Sequence, residues 1–164
     1  FDGVTDPVIG FLSDRMKTRW GRRRPFVLIG MPIFMLGVWL LWIPPIEFTE
    51  VTFLGMTFNT GYPYLLGVLV IMYIGATIKD VPYSAWGAEL AQGYNERTLI
   101  MSWKEAFTVT GSLIGAMTPA VIVFWGYTKP TDNVYFLTIA LVIIMPILIF
   151  NMLAVVPELS LIHI

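Results

Sequence analysis

Residues 1–25 read FDGVTDPVIGFLSDRMKTRWGRRRP, an apolar helical stretch with two aspartates four residues apart that runs into a short, strongly basic loop. Carboxylates inside a membrane span are costly, and they mark ion or substrate paths. A short basic loop beside a span marks the cytoplasmic side. Together the two features imply a transport path through a membrane.

The composition agrees with a membrane protein. Hydrophobic residues make up 57% and charged residues 13% of the 164, and the mean hydropathy is +0.75. Soluble domains carry roughly 25% charged residues. The charge is also segregated, with Arg15, Lys17, Arg19, Arg22, Arg23 and Arg24 gathered between two apolar segments. The net charge of −1 gives no reason to expect nucleic acid as a partner. The absence of cysteine excludes a disulfide framework and a thiolate metal site. His163 has no partner at ligand spacing, and no cofactor is expected. The chain opens at Phe1 inside an apolar segment and ends in ELSLIHI, so a fragment is expected.

A helix needs about 20 apolar residues to cross a bilayer. On that measure residues 1–13 form the second half of a span, and 25–43, 62–87, 102–126 and 134–156 form four more. The fold class expected is an all-α membrane bundle with no separate soluble domain. The basic bias assigns loops 14–24 and 88–101 to the cytoplasm. Loop 45–61 carries Glu47 and Glu50 and no basic residue. Trp39, Trp42, Tyr62, Tyr64, Trp125 and Tyr127 then fall near the opposite interface, where amphipathic rings prefer to sit.

Several charges lie within these spans. Asp2 and Asp6 share a helix face. Lys79 and Asp80 lie inside the third span, and Lys104 and Glu105 near the start of the fourth. At about 1.5 Å per residue, Asp6 lies roughly 12 Å, Asp2 and Asp80 roughly 18 Å and Lys104 roughly 10 Å from the basic side. Charges on three helices at matched depth can meet in one cavity. Carboxylates with hydroxyl and carbonyl oxygens form a hard-oxygen site for alkali cations. Thr77, three residues before Asp80, and Thr5, beside Asp6, offer such oxygens. A buried carboxylate without a cation instead takes a proton, so the coupling ion is Na⁺ or H⁺. Lys79 is expected to pair with Asp2 or Asp6. Either carboxylate paired with Lys79 or Lys104 would also serve as a fixed lock in the bundle.

Asp14 sits at the C-terminal end of a helix, where the dipole disfavours an anion. It requires a cation from the basic loop or another helix, as in a gate latch, or locally from Arg15 or Arg19. Gly10 would let a neighbouring helix approach. Gly75, Gly111, Gly115 and Ala116 are read as packing positions, and Pro82 as a kink.

Gly10-x-x-x-Asp14-Arg15, continuing to Arg19-x-Gly21-Arg22-Arg23, resembles the loop after the second helix of major facilitator superfamily transporters. Asp2-x-x-x-Asp6-Pro7, Thr77-Ile78-Lys79-Asp80-Val81-Pro82-Tyr83 and Glu96-Arg97-Thr98 narrow the resemblance to the glycoside–pentoside–hexuronide:cation symporters. It covers nearly the whole chain. It implies a twelve-helix fold of two six-helix halves, with residues 1–164 forming most of the N-terminal half, from the second helix to the sixth. It implies symport of a sugar or glycoside with Na⁺, H⁺ or Li⁺ by alternating access. Asp2, Asp6 and Thr77 match cation ligands, Asp2 and Asp6 being those that would hold Na⁺. Thr5 falls where sodium-coupled members have an Asn ligand. Asp80 matches an acidic residue that binds sugar hydroxyls, and Lys104 falls near a basic residue of the same cavity. Ser84 stands where an aromatic residue packs against the sugar in that group. Lys79 is a further departure. Gly10, Asp14, Arg15, Arg19, Gly21, Arg22 and Arg23 fall at a cytoplasmic gate. A monomer in the bacterial inner membrane is expected. The rivals are a transporter of the same fold with another cargo, such as a lysolipid, and a non-transporting membrane scaffold. No nucleophile with a paired base suggests an enzyme.

Overall fold

The computed structural model describes residues 2–156 apart from 17, 19, 20, 46, 54, 55, 92 and 128. The described residues form α1 (Asp2–Arg15), α2 (Arg24–Trp42), β1 (Glu50–Phe53), β2 (Met56–Asn59), α3 (Gly61–Glu89), α4 (Tyr94–Phe124) and α5 (Pro130–Val155). Four helical segments are long and apolar enough to cross a membrane: Arg24–Trp42, Gly61–Glu89, Tyr94–Phe124 and Asn133–Val155. The chain is therefore a multi-pass membrane bundle. α1, with 14 residues, is shorter than those four.

Local chemistry sets the boundaries. Pro25 and Pro130 stand in the first turns of α2 and α5, where a missing N–H costs nothing and φ is already helical. Between α1 and α2 the chain reverses in a tight turn. Gly21 has φ 104°, a left-handed conformation that glycine adopts without penalty. Its N–H donates to the Thr18 carbonyl at 3.1 Å, and the Thr18 hydroxyl donates to the Gly21 carbonyl. α4 stops in the same way at Gly126, φ 95°. There the Gly126 N–H bonds Val123 O at 3.0 Å and the Tyr127 N–H bonds Ile122 O at 3.3 Å, which is a Schellman closure.

Two features depart from the sequence reading. The connection expected at 88–101 shrinks to 90–93, because α3 runs to Glu89 and α4 starts at Tyr94. Hydropathy falls at Tyr94–Thr98, yet the segment is helical. Glu96 lies in the first turn, which favours an anion, and the Arg97 N–H bonds Gly93 O at 3.0 Å. In loop 45–61, Glu50–Phe53 and Met56–Asn59 pair antiparallel, Glu50 opposite Asn59 and Phe53 opposite Met56. Thr49 and Thr60 close the hairpin base through the Thr60 N–H to Thr49 O bond at 3.0 Å. Asn59 Oδ1 then accepts the Gly61 N–H at 2.8 Å and starts α3.

The tightest packing joins α2 to α3. A Cβ on Gly30 would lie 2.7 Å from the Lys79 backbone N, one on Gly37 2.7 Å from Met72 Cα, and one on Gly75 2.7 Å from Phe34 Cα. Small residues let membrane helices meet backbone to backbone, and these three carry that contact. Towards the hairpin end the Tyr64 hydroxyl donates to the Leu40 carbonyl at 2.7 Å. Gly111 and Gly115, read from the sequence as packing positions, have no atom within 4 Å of an added Cβ. They border an open groove beside Val38 and Trp42.

Candidate functional site

Helix geometry decides which charged residues meet. Asp14 and Glu89, near the C-terminal ends of α1 and α3, both bond Arg23, so the two helices run parallel. Gly10 faces Val81, whose Cγ1 would lie 3.8 Å from a Cβ on Gly10. That is an ordinary contact, so Gly10 is not compelled by a close approach, contrary to the sequence reading. One turn earlier on each helix stand Asp6 and Thr77, on the same faces and at the same level. Asp6 and Thr5 are half-buried, and Thr77 is buried at 6% exposure. Asp2 lies in α1, but its side chain is outside the described residues. Among the described residues no three acidic or histidine side chains converge. An ion on this α1–α3 seam would therefore need hydroxyl and carbonyl oxygens beside the Asp6 carboxylate.

The residues read from the sequence as substrate-side gather elsewhere. Asp80, Tyr83, Ser84 and Gly87 recur at helical spacing on α3, Met145, Leu148 and Met152 on α5, and Met101 and Lys104 on α4. Lys79, Asp80 and Tyr83 line a cleft of about 340 Å³ walled by Val27 and by Met145, Leu148 and Met152. Ser84 and Lys104 line a second space of about 130 Å³, which shares Tyr83 and Met152 with the first. Together they form one polar strip on an apolar bed. Asp6, Thr5 and Thr77 line neither space.

Among the described residues Lys79 meets α3 and α2 rather than Asp6 of α1, and the Asp2 side chain lies outside them. The Lys79 ammonium pairs with Asp80 and lies 5.1 Å from the Phe34 ring centroid. The reason is the α2–α3 contact, since Gly30 brings the α2 backbone to Lys79 and Phe34 one turn further on receives the side chain. Asp80 remains 58% exposed to the cleft while Lys79 is 12% exposed. Lys104 Nζ donates to Ser84 Oγ at 2.9 Å and lies 5.5 Å from the Tyr83 ring centroid.

At the basic-loop end, three consecutive arginines tie the start of α2 to the ends of α1, α3 and α5. Arg23 is 7% exposed at its side chain and bonds Asp14 Oδ1 at 3.2 Å through Nη2. It grips Glu89 with two nitrogens, Nε at 3.0 Å and Nη2 at 2.6 Å. Arg22 Nη2 joins the same Glu89 at 2.5 Å. Arg24 Nη2 donates to the Val156 carbonyl at 2.6 Å and lies 5.6 Å from the Trp86 ring centroid. Asp14 thus takes its cation from Arg23. Arg15 lies over the Phe11 ring at 3.9 Å, and Arg19 is outside the described residues. Gly21 shapes the turn that delivers the triplet.

Glu89 and the acceptor of Arg24 were missed by the sequence reading. The signal for Glu89 was present: a carboxylate at the C-terminal end of an apolar helix meets the same unfavourable dipole as Asp14. Arg24 gave no such sign, because its acceptor is a backbone carbonyl at the far end of the chain.

Several known proteins resemble this chain in sequence. The uncharacterized symporter sll1374 of Synechocystis is 38% identical over 70% of this chain and 20% of its own length. The putative glycoside/cation symporter YagG of Escherichia coli is 32% identical over 68% of this chain and 22% of its own. The sodium-dependent lysophosphatidylcholine symporter 1 of Gallus gallus is 26% identical over 84% of this chain and 24% of its own. The chain thus spans about a fifth to a quarter of the length of these relatives. No solved structure matches it. Residues 1–159 match the family described as MFS/sugar transport protein, and the chain belongs to that family, its relatives named as symporters agreeing with the cation-symporter motifs.

Proposed function

We propose that this chain is part of the N-terminal half of a secondary transporter that carries a sugar or glycoside together with Na⁺ or H⁺. The observation that carries the reading is the polar strip of Lys79, Asp80, Ser84 and Lys104 between helices apolar enough to cross a membrane. Ionisable groups at such a depth are retained for a ligand path. Two neighbouring regions divide the work. Asp2, Asp6, Thr5 and Thr77 take the cation on the α1–α3 side, and Asp80 accepts hydroxyl protons of the cargo in the cleft. The cation neutralises the α1 carboxylates, which lowers the cost of closing the cavity to water. The helices then rock about the loaded site, as alternating access requires. Asp14, Arg22, Arg23 and Glu89 hold the basic end closed or release it.

The relative named as a sodium-dependent lysophosphatidylcholine symporter supports a second reading, a lysolipid cargo. The apolar wall of Met145, Leu148 and Met152 beside Asp80 suits it. Uptake of labelled sugars and lysolipids into vesicles bearing the complete protein, with and without Na⁺ and proton gradients, separates the two. Full uptake after both Asp6→Asn and Asp80→Asn would sink the proposal.

A further inference from the structure

Adjacent side chains on a helix point about 100° apart and do not face each other. Lys79 and Asp80 pair nonetheless, so something outside α3 brings them together. α2 does so. A Cβ on Gly30 would lie 2.7 Å from the Lys79 backbone N, so the α2 backbone occupies the space beside that residue. Phe34, one turn on from Gly30, holds the ammonium 5.1 Å from its ring centroid. The Lys79 side chain is accordingly only 12% exposed, whereas Asp80 is 58% exposed in the cleft walled by Val27, Met145 and Leu148. A carboxylate offers about four acceptor positions, and the Lys79 ammonium donates to Oδ1. The pair therefore leaves acceptor positions for a ligand.

Resting on the reading of this cleft as the cargo site, we infer that Lys79 is a positioning residue for Asp80. It is a counter-cation tethered between α2 and α3, and it holds the carboxylate ready for cargo hydroxyls without a mobile cation. The coupling cation is then left to the α1–α3 seam. A mobile cation at Asp80 would have to enter and leave in every cycle. A tethered one stays with the helices, and it offsets the cost of a carboxylate against apolar walls in every state of the transporter. Loss of the ammonium leaves that carboxylate to recruit a cation from solution.

The test reads binding to the purified complete protein, with 4-nitrophenyl glucoside and lysophosphatidylcholine as probes and Na⁺ varied at constant ionic strength. Lys79→Met and Lys79→Gln keep most of the stem against Phe34 and remove the charge, and either serves where the other fails to fold. Affinity for the bound probe without Na⁺ should fall about tenfold or more, the scale of a charge-assisted bond. Added Na⁺ should recover part of it, with a steeper dependence than in wild type, as an extra cation is recruited. Lys79→Arg should restore both the affinity and the wild-type curve. In an Asp80→Asn background the same replacements should no longer weaken binding, because no carboxylate is left to position. Wild-type affinity with an unchanged Na⁺ curve in the Lys79 variants overturns the inference. So does an equal loss with and without the Asp80 carboxylate, which marks a packing role alone. Both of those outcomes leave the cargo site standing. A wild-type protein that binds neither probe at any Na⁺ concentration instead sinks the cleft reading, and the role of Lys79 with it.

Discussion

Replacing Glu89 with Gln probes the anchor of the arginine triplet. Glu89 lies 3.0 and 2.6 Å from two Arg23 nitrogens and 2.5 Å from Arg22, whereas Asp14 meets Arg23 at 3.2 Å. Arg23 is 7% exposed, Glu89 39% and Asp14 57% at the side chain. Removing one member of a fully buried pair costs about 3–5 kcal/mol, and of an exposed pair about 0–1 kcal/mol. Glu89 is intermediate in exposure, so its loss should cost about 2 kcal/mol. Asp14→Asn should cost about 0.5 kcal/mol. A change of that size in Glu89→Gln alters an equilibrium by roughly 30-fold, enough to unlatch one transport state. Thermal unfolding of the complete protein in detergent would show a midpoint several degrees lower for Glu89→Gln and nearly unchanged for Asp14→Asn. Initial uptake rates would follow the same order of sensitivity. An Asp14→Asn protein as destabilised as Glu89→Gln would refute the reasoning, because the network would then hang on α1 rather than α3.

Gly75→Ala should lose about 1–3 kcal/mol, since its methyl would meet the Phe34 backbone at 2.7 Å. Gly111→Ala, facing open space, should stay within about 0.5 kcal/mol of wild type, and paired melting curves check both. Gly21→Ala forces a side chain into φ 104° and should cost about 1–2 kcal/mol, seen in the same melts. Asp6→Asn should weaken cation stimulation of uptake at least about tenfold. An unaltered stimulation curve, measured at fixed cargo, would remove α1 from the ion site.

The helical character of the chain was legible because long apolar runs leave few alternatives in a membrane. The start of α4 was not, because Tyr94–Thr98 is polar yet helical, and hydropathy measures only the first property. The 50–59 hairpin escaped notice because strands of four residues carry too little pattern. Matched depth on separate helices suggested one shared cavity, whereas Asp80 and Lys104 line two adjoining spaces and Asp6 lines neither. The partner of Lys79 was hidden, because it follows from the α2 backbone approach at Gly30, a fact of packing. Gly111 and Gly115 meet no neighbour among the described residues, since spacing shows that a helix can approach, not which one does. Arg24 and Val156 are 132 residues apart, a distance no local pattern bridges.

That separation has a consequence for biogenesis. Arg22–Arg24 leave the ribosome with α2, while Glu89 follows 66 residues behind Arg23 and Val156 132 residues behind Arg24. At about 5–20 residues per second, Glu89 arrives roughly 3–13 s later and Val156 roughly 7–26 s later. In that interval the triplet meets the insertion machinery before its α3 carboxylate exists, with the positive charge that fixes which way a helix is threaded. Only afterwards do Glu89 and the α5 terminus draw the same side chains into the bundle. One short segment thus first orients the helices and then fastens them, and the order of synthesis keeps the two tasks apart.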